Sequence, residues 1–214
     1  MKYFIDFEFI EGFHKPLFGK KRHFIDLVSV GVVSGDGKRE YYAISTDFNP
    51  KDADAWVKNN VLSKLPPRRV SYNDSSPRQR EETLLWKSNK QIAQELLGFF
   101  GCEREDGNWY APEGIEIYGY YADYDWVLLC SLFGRMIDLP KNFPMYCRDL
   151  KQILDEKATL KIMEVEMKYE GETRFETSLR QIKNNTQYPK QKDEHNAIAD
   201  ARWNHELYKF LQTL

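Results

Sequence analysis

With 214 residues, 42% of them hydrophobic and 14% aromatic, the chain is sized for one domain with a substantial core. Its 31 basic and 33 acidic residues leave a net charge of −2. That excludes an extended, sequence-independent grip on duplex DNA, which needs a strongly basic surface, while leaving room for a local basic patch.

Three widely spaced cysteines, Cys102, Cys130 and Cys147, form no CxxC pair. They argue against a disulfide framework or a zinc site and for a reducing cytoplasm. Acids at Asp6, Glu8 and Glu11 interrupt any amino-terminal secretory core, and no run reaches the roughly 18 apolar residues of a membrane span. A soluble, cytoplasmic protein is expected.

The chain opens with "KYFIDFEF", which reads as a buried strand from Lys2 to Phe9. Side chains alternate along a strand, so Phe4, Asp6 and Glu8 share one face, and Tyr3, Ile5, Phe7 and Phe9 the other. Two carboxylates in such surroundings repel each other and are costly to bury. Either that face is wet or a cation holds the pair. "IEGFHKPLFGKKRHF" then reads as a loop or short excursion. "DLVSVGVVSGDGKREYYAIS" shows two β-rich runs about Gly35-Asp36-Gly37, a hairpin signal. The first three strands therefore form an antiparallel meander.

A short helical pattern follows in "DADAWVKNNVL", then a turn-rich stretch over residues 66–77. A helix is predicted from about Asn89 to Phe100, with Ser88 and Gln91 as a capping box and Gly101 as its stop. "GIEIYGYY" is a strand leading into the helix "DYDWVLLCSLF", and "PMYCRDLKQIL" a short strand running into another. Residues 161–192 turn polar and alternate in "IMEVEMKY" and "TRFETSL", which reads as a hairpin-like insertion. A last helix runs from about Asn196 to Thr213, with Ala197, Ala201, Asn204, Tyr208 and Leu211 facing the core. The order implies a single α/β domain over residues 1–214, its mixed sheet flanked by helices.

Three acidic stretches carry the chemistry. Asp6 and Glu8 sit at the carboxyl end of a central strand, where ligands gather in open α/β sheets. In "YYADYDWVLL", Asp123 and Asp125 lie where a strand ends and a helix begins; one is expected to cap the helix. In "EHNAIADARW", His195 and Asp200 are five residues apart, about 140° around a helix, and cannot share a face if both are helical. With His195 just before the helix, its side chain can swing over a site that Asp200 lines. Each stretch alone has a bland reading: an exposed acidic pair, a cap, a surface histidine. Together, four carboxylates and a histidine suit a pair of hard divalent cations, Mg²⁺ or Mn²⁺, acting on a phosphodiester. The histidine is then placed to take a proton from attacking water.

"DFEF", "ADYDWVLL" and "HNAIADAR" resemble the three motifs of the DEDDh group of 3′–5′ exonucleases, which have an RNase H-like fold. "DLVSVGVVSGDGKREYYAIS", "WVKNNVLSKLPP", "WKSNKQI" and "MIDLPKNFPMYCRDL" are similar to one small branch, dimeric bacterial 3′–5′ exoribonucleases acting on RNA with a single-stranded 3′ overhang. The resemblance spans roughly residues 1–155 and 194–214. It implies a five-stranded mixed sheet, a homodimer, release of nucleoside 5′-monophosphates, two metal ions on Asp6, Glu8, Asp125 and Asp200, and His195 as general base. Asp125 rather than Asp123 fits because it follows an aromatic residue, Tyr124, and precedes an apolar run.

Phe9 stands where many of these enzymes carry threonine, and no counterpart is recognised for the insertion at about 161–192. Lys20, Lys21 and Arg22, on the loop leaving the first strand, are the candidate phosphate contacts, and Phe9 a candidate for the terminal base. A DNA-directed exonuclease and a binding module that has lost catalysis are the alternatives. An aspartyl phosphatase is disfavoured, because the strand ends in Asp-x-Glu rather than Asp-x-Asp.

Overall fold

The computed structural model describes residues 1–14, 18–71, 75–164 and 171–214. Strand β1 (Lys2–His14) runs antiparallel to β2 (Arg22–Ser34), which runs antiparallel to β3 (Glu40–Ser45). The β2–β3 turn falls on Gly35-Asp36-Gly37 as the sequence implies. Ser34 Oγ donates to Asp36 Oδ1 at 2.6 Å, and Gly37 takes the positive φ of 70° that the turn requires.

Helix α1 (Ala55–Asn60) lies between 3-10 turns at Pro50–Asp52 and Leu62–Lys64 and is followed by α2 (Pro77–Thr83). The short strand β4 (Trp86–Lys87) leads into α3 (Asn89–Phe99), which starts on the expected Ser88–Gln91 capping box. A small hairpin, β5 (Glu103–Glu105) and β6 (Asn108–Tyr110), precedes β7 (Glu116–Gly119) and α4 (Asp123–Phe133). Then come β8 (Arg148–Asp149), α5 (Leu150–Leu160), α6 (Arg174–Lys183) and α7 (Ala197–Leu211).

The main sheet has the order β4-β3-β2-β1-β7-β8, with β7 parallel to β1 and β8 parallel to β7. It is a mixed sheet flanked by helices, with six strands rather than the expected five. The extra one, β4, pairs Trp86 with Ile44 and Lys87 with Ser45; two residues are too few to leave a periodic signal. No helix among the described residues is long and apolar enough to cross a membrane. All three cysteines are free.

Alternation along β1 sorts the core. Tyr3, Ile5 and Phe7 pack with Ile92, Leu96, Leu128 and Leu129 from α3 and α4. On the other face, Phe4 packs with Leu154, Trp203 and Leu207 from α5 and α7, and further along Ile10 packs with Phe48, Ala53 and Val61. Register shifts between Glu8 and Phe9: Glu8 faces Ser29 but Phe9 faces Leu27. This bulge puts Val30 into the α3/α4 core and Val28 into the opposite one, although both would share a face in a regular strand.

Two further expectations are corrected. The stretch after Phe9 is a loop only in part: β1 continues to His14 and β2 begins at Arg22, the polar composition having masked strand pairing, while residues 18–21 belong to neither strand and residues 15–17 lie outside the described residues. In the insertion, "TRFETSL" belongs to helix α6, opened by a Thr173–Glu176 capping box, with Ser178 Oγ donating to Ala158 O at 2.8 Å. Of the proposed first arm, residues 162–169, Ile162–Glu164 form a 3-10 turn and the rest lies outside the described residues.

Candidate active site

Asp6 and Glu8 stand on β1 in the gap between the two apolar clusters that cover its α7 face, with Phe4 on one side and Ile10 on the other. Helix α7 reaches this gap because of a glycine. Asp6 is paired with Gly31 on β2, and a Cβ at Gly31 would lie 2.1 Å from the carbonyl oxygen of Ala197. The bare backbone lets the first turn of α7 settle against the sheet beside Asp6. Asn204 then ties the helix down, its Nδ2 donating to Ile5 O at 2.8 Å. The result is that carboxylate oxygens of Asp6, Glu8 and Asp200 all lie within 4.8 Å of one another.

Asp125 arrives from the opposite side of the sheet. β1 and β7 part after the Phe4–Tyr118 pair, so the Phe7 N–H donates instead to Asp125, at the start of α4. Gly119, at the end of β7, keeps the turn tight: a Cβ there would sit 2.6 Å from that of Ala122. The expectation that Asp123 or Asp125 caps α4 fails. Its N-cap is Ala122, whose methyl side chain accepts nothing from the helix. The turn is fixed instead by Asp149, whose carboxylate accepts from Tyr121 N (3.3 Å) and Ala122 N (3.0 Å) while capping α5 through Lys151 N. Asp125 is thereby free of capping duty and is 6% exposed, as is Asp200.

The electrostatics follow from crowding acids in a partly dry place. Burial, then the charges of Asp125, Glu8 and Asp200, hold the Asp6 carboxyl well above its ordinary value. Burial and Asp200 push Glu8 up to about 8, opposed by the Lys64 ammonium. Asp125 is raised by burial and Glu8, with the Phe7 N–H pulling the other way. Asp200 is raised by burial, against hydrogen bonds from Gln191 and His195. Four raised carboxyls around one gap are a strong demand for positive charge. The oxygen-only donor set suits a hard divalent cation such as Mg²⁺ or Mn²⁺.

His195 precedes α7, whose N-cap is Asn196. It takes a left-handed backbone, φ 63°, and its N–H donates to Asp200 Oδ2 at 2.7 Å. Its ring meets that of Trp56 edge to face at 4.8 Å. Other residues at the site escaped the sequence reading. Gln191 Nε2 donates to Asp200 Oδ1 at 2.7 Å, and Lys64 Nζ donates to Glu194 O. Trp56 and Lys64 lie within the quoted stretch "WVKNNVLSKLPP", yet spacing gives them no role.

Phe9 packs against Tyr124, centroids 5.3 Å apart, and joins the α3/α4 core, on the face of β1 opposite Asp6 and Glu8. Lys20, Lys21 and Arg22 are exposed at the far end of the β1–β2 hairpin, Arg22 in the terminal His14–Arg22 pair and the two lysines beyond it.

A family model described as the 3′-5′ exoribonuclease Rv2179c-like domain matches residues 1–212. Two curated proteins of Mycobacterium tuberculosis are similar over nearly the whole chain: 3′-5′ exoribonuclease Rv2179c of strain H37Rv and 3′-5′ exoribonuclease MT2234.1 of strain CDC 1551. Each is 34% identical over 202 residues, covering 94% of this chain and 88% of the relative.

Proposed function

The chain belongs to the 3′-5′ exoribonuclease Rv2179c-like domain family, and from that premise we propose that it shortens RNA from a single-stranded 3′ end, releasing nucleoside 5′-monophosphates. The observation that carries the reading is the meeting of Asp6, Glu8 and Asp200 within 4.8 Å, with Asp125 close enough to raise Asp6.

In this reading the four acids hold two Mg²⁺ or Mn²⁺ ions. When bound, such ions supply positive charge to the attacking and leaving oxygens of the phosphodiester. The His195 imidazole accepts the proton of the attacking water as its oxygen joins phosphorus, and the bond from phosphorus to the 3′ oxygen breaks. Asp200 orients the histidine through its bond to the His195 N–H. The meander followed by parallel β7 and β8 supports an RNase H-like fold; a homodimer rests on the family resemblance alone, and a cytoplasmic location on the cysteine pattern.

The test is a time course on RNA labelled at its 5′ end, with Mg²⁺ or Mn²⁺, an EDTA control and Asp6→Asn protein. A ladder descending from the 3′ end, absent in both controls, is the expected result. Intact RNA beside a degraded deoxy-oligomer of the same sequence would transfer the activity to DNA.

A further inference from the structure

β1 and β2 outrun the sheet. β7 pairs with β1 only from Lys2 to Phe4, and β3 meets β2 only from Ser29 to Val33. Glu11–His14 and Arg22–Ile25 therefore form a two-stranded arm that, among the described residues, pairs only with itself. An isolated ribbon is marginal in water, and this one is held by its own rings. His14 stacks on Phe24 at 4.3 Å, and Phe13 meets His23 edge-on at 5.4 Å. Gly12 makes room for the Phe24 ring, which a Cβ would approach to 2.9 Å.

What the arm leaves outside is unusual for a surface ribbon. Phe13 is 61% exposed and Phe18, in the connection, 88%. Lys20, Lys21 and Arg22 are exposed beside them, with Lys21 Nζ 6.0 Å from the centre of the Phe13 ring. The acid on the described arm, Glu11, is matched by His23 at 3.5 Å.

We propose that this arm is a platform for the single-stranded RNA upstream of the bond being cut, a proposal that rests on the exoribonuclease reading. Exposed rings interleaved with cations are the chemistry of single-strand binding: rings stack on bases of any identity, and cations track the phosphates. Lysine is depleted where proteins bury a surface against one another, which disfavours a second copy of the chain as the occupant. Geometry sets the reach. Phe13 lies five residues beyond Glu8 on the same strand, about 16 Å at about 3.3 Å per residue. A 3′ end seated among the acids thus leaves the arm to upstream nucleotides, and a substrate too short to extend that far gains nothing from it.

Two variants test this, Phe13→Ala with Phe18→Ala, and Lys20→Ala with Lys21→Ala and Arg22→Ala. All five side chains are exposed, and circular dichroism of each variant checks that the fold survives, since Phe13→Ala removes the Phe13–His23 contact. KM is measured for a dodecamer and for a dinucleotide of RNA. The ratio of dodecamer to dinucleotide KM should rise about tenfold or more in each variant. Fluorescence anisotropy of a labelled dodecamer in EDTA should show weaker binding, and the triple variant should have a shallower salt dependence.

An unchanged ratio with unchanged anisotropy overturns the platform. So does a change in sedimentation mass with RNA affinity intact, which would make the arm a contact between copies. If the wild-type protein shortens no RNA, the exoribonuclease reading fails, and the anisotropy still decides whether the arm binds RNA.

Discussion

The main-chain N–H of His195 donates to Oδ2 of Asp200 at 2.7 Å, while the other carboxylate oxygen, Oδ1, accepts from Gln191 Nε2 at the same distance. The segment that carries the proposed general base is therefore fastened to a proposed metal ligand at two points. A change at Asp200 is transmitted to His195 through the backbone.

The amide of Gln191 holds Oδ1 of Asp200, one of the two oxygens this residue could offer to a cation under the proposed mechanism. Gln191→Ala removes a hydrogen bond to a charged acceptor, worth about 1.5 to 3 kcal/mol. Divalent-cation affinity, measured by calorimetry, is expected to tighten about tenfold or more because that bond no longer has to be given up. Weaker affinity would instead make Gln191 a support for the ligand geometry.

Acidity gives a second prediction, for the cation-free protein. The Glu8 carboxyl, ordinarily at 4.5, is raised to about 8 in the fold, and Asp6, Asp125 and Asp200 are raised too. A raised carboxyl means the folded state keeps a proton that the unfolded chain gives up. This contribution to stability is full below about pH 4.5 and is lost as pH climbs through about 8, at about 1.4 kcal/mol for each pH unit between the two. In EDTA the Tm should therefore fall as the pH is raised from about 5 to about 8. Added Mg²⁺ should recover most of the loss, since it binds the ionised acids of the folded state. A flat profile in EDTA would contradict the crowding of these carboxyls.

Trp56 and Lys64 hold the His195 loop from across the gap. Trp56→Ala and Lys64→Met should lower kcat by roughly tenfold to a hundredfold through misplacement of the base. Trp56→Ala should leave cation affinity unchanged, and Trp56→Phe should restore most of the rate. Amide exchange at Glu194 and His195 should quicken in both variants. Loss confined to KM would assign these residues to substrate contact instead.

Gly31→Ala puts a methyl group where the Ala197 carbonyl already sits. Overpacking of this kind costs about 1 to 3 kcal/mol, and relief requires the start of α7 to move. Thermal unfolding should show the destabilisation, and activity should drop further than stability, because Asp200 moves with the helix. Equal activity in a folded Gly31→Ala protein would mean that the four acids tolerate a displaced ligand.

How far the sequence can be read depends on how local each signal is. Asp6 and Glu8 are legible because two acids inside an apolar strand violate its pattern, and the Ser88–Gln91 capping box because it lies within one turn. Gly31 is legible in principle, since a glycine inside "SVGVVS" marks close backbone approach. The Thr173–Glu176 box is equally local, but alternation in the polar stretch suggests strands. Strand β4 is too short for any period. Phe9 misleads because alternation assigns its face to the core while proximity to Glu8 suggests the site. Gln191, Lys64 and Trp56 carry no chemical signature of their own. Their roles exist only where α1, the turn after it and the start of α7 converge.

The carboxylates that meet at the gap come from residue 6 and residue 200. During synthesis, at about 5–20 residues per second, roughly ten seconds or more separate their appearance. A ribosome-bound chain that has not yet emitted α7 has neither His195 nor Asp200, so on the proposed assignment an amino-terminal fragment ending before them lacks both the general base and a metal ligand however well its sheet forms. On that assignment the site is assembled only after α7 has left the ribosome.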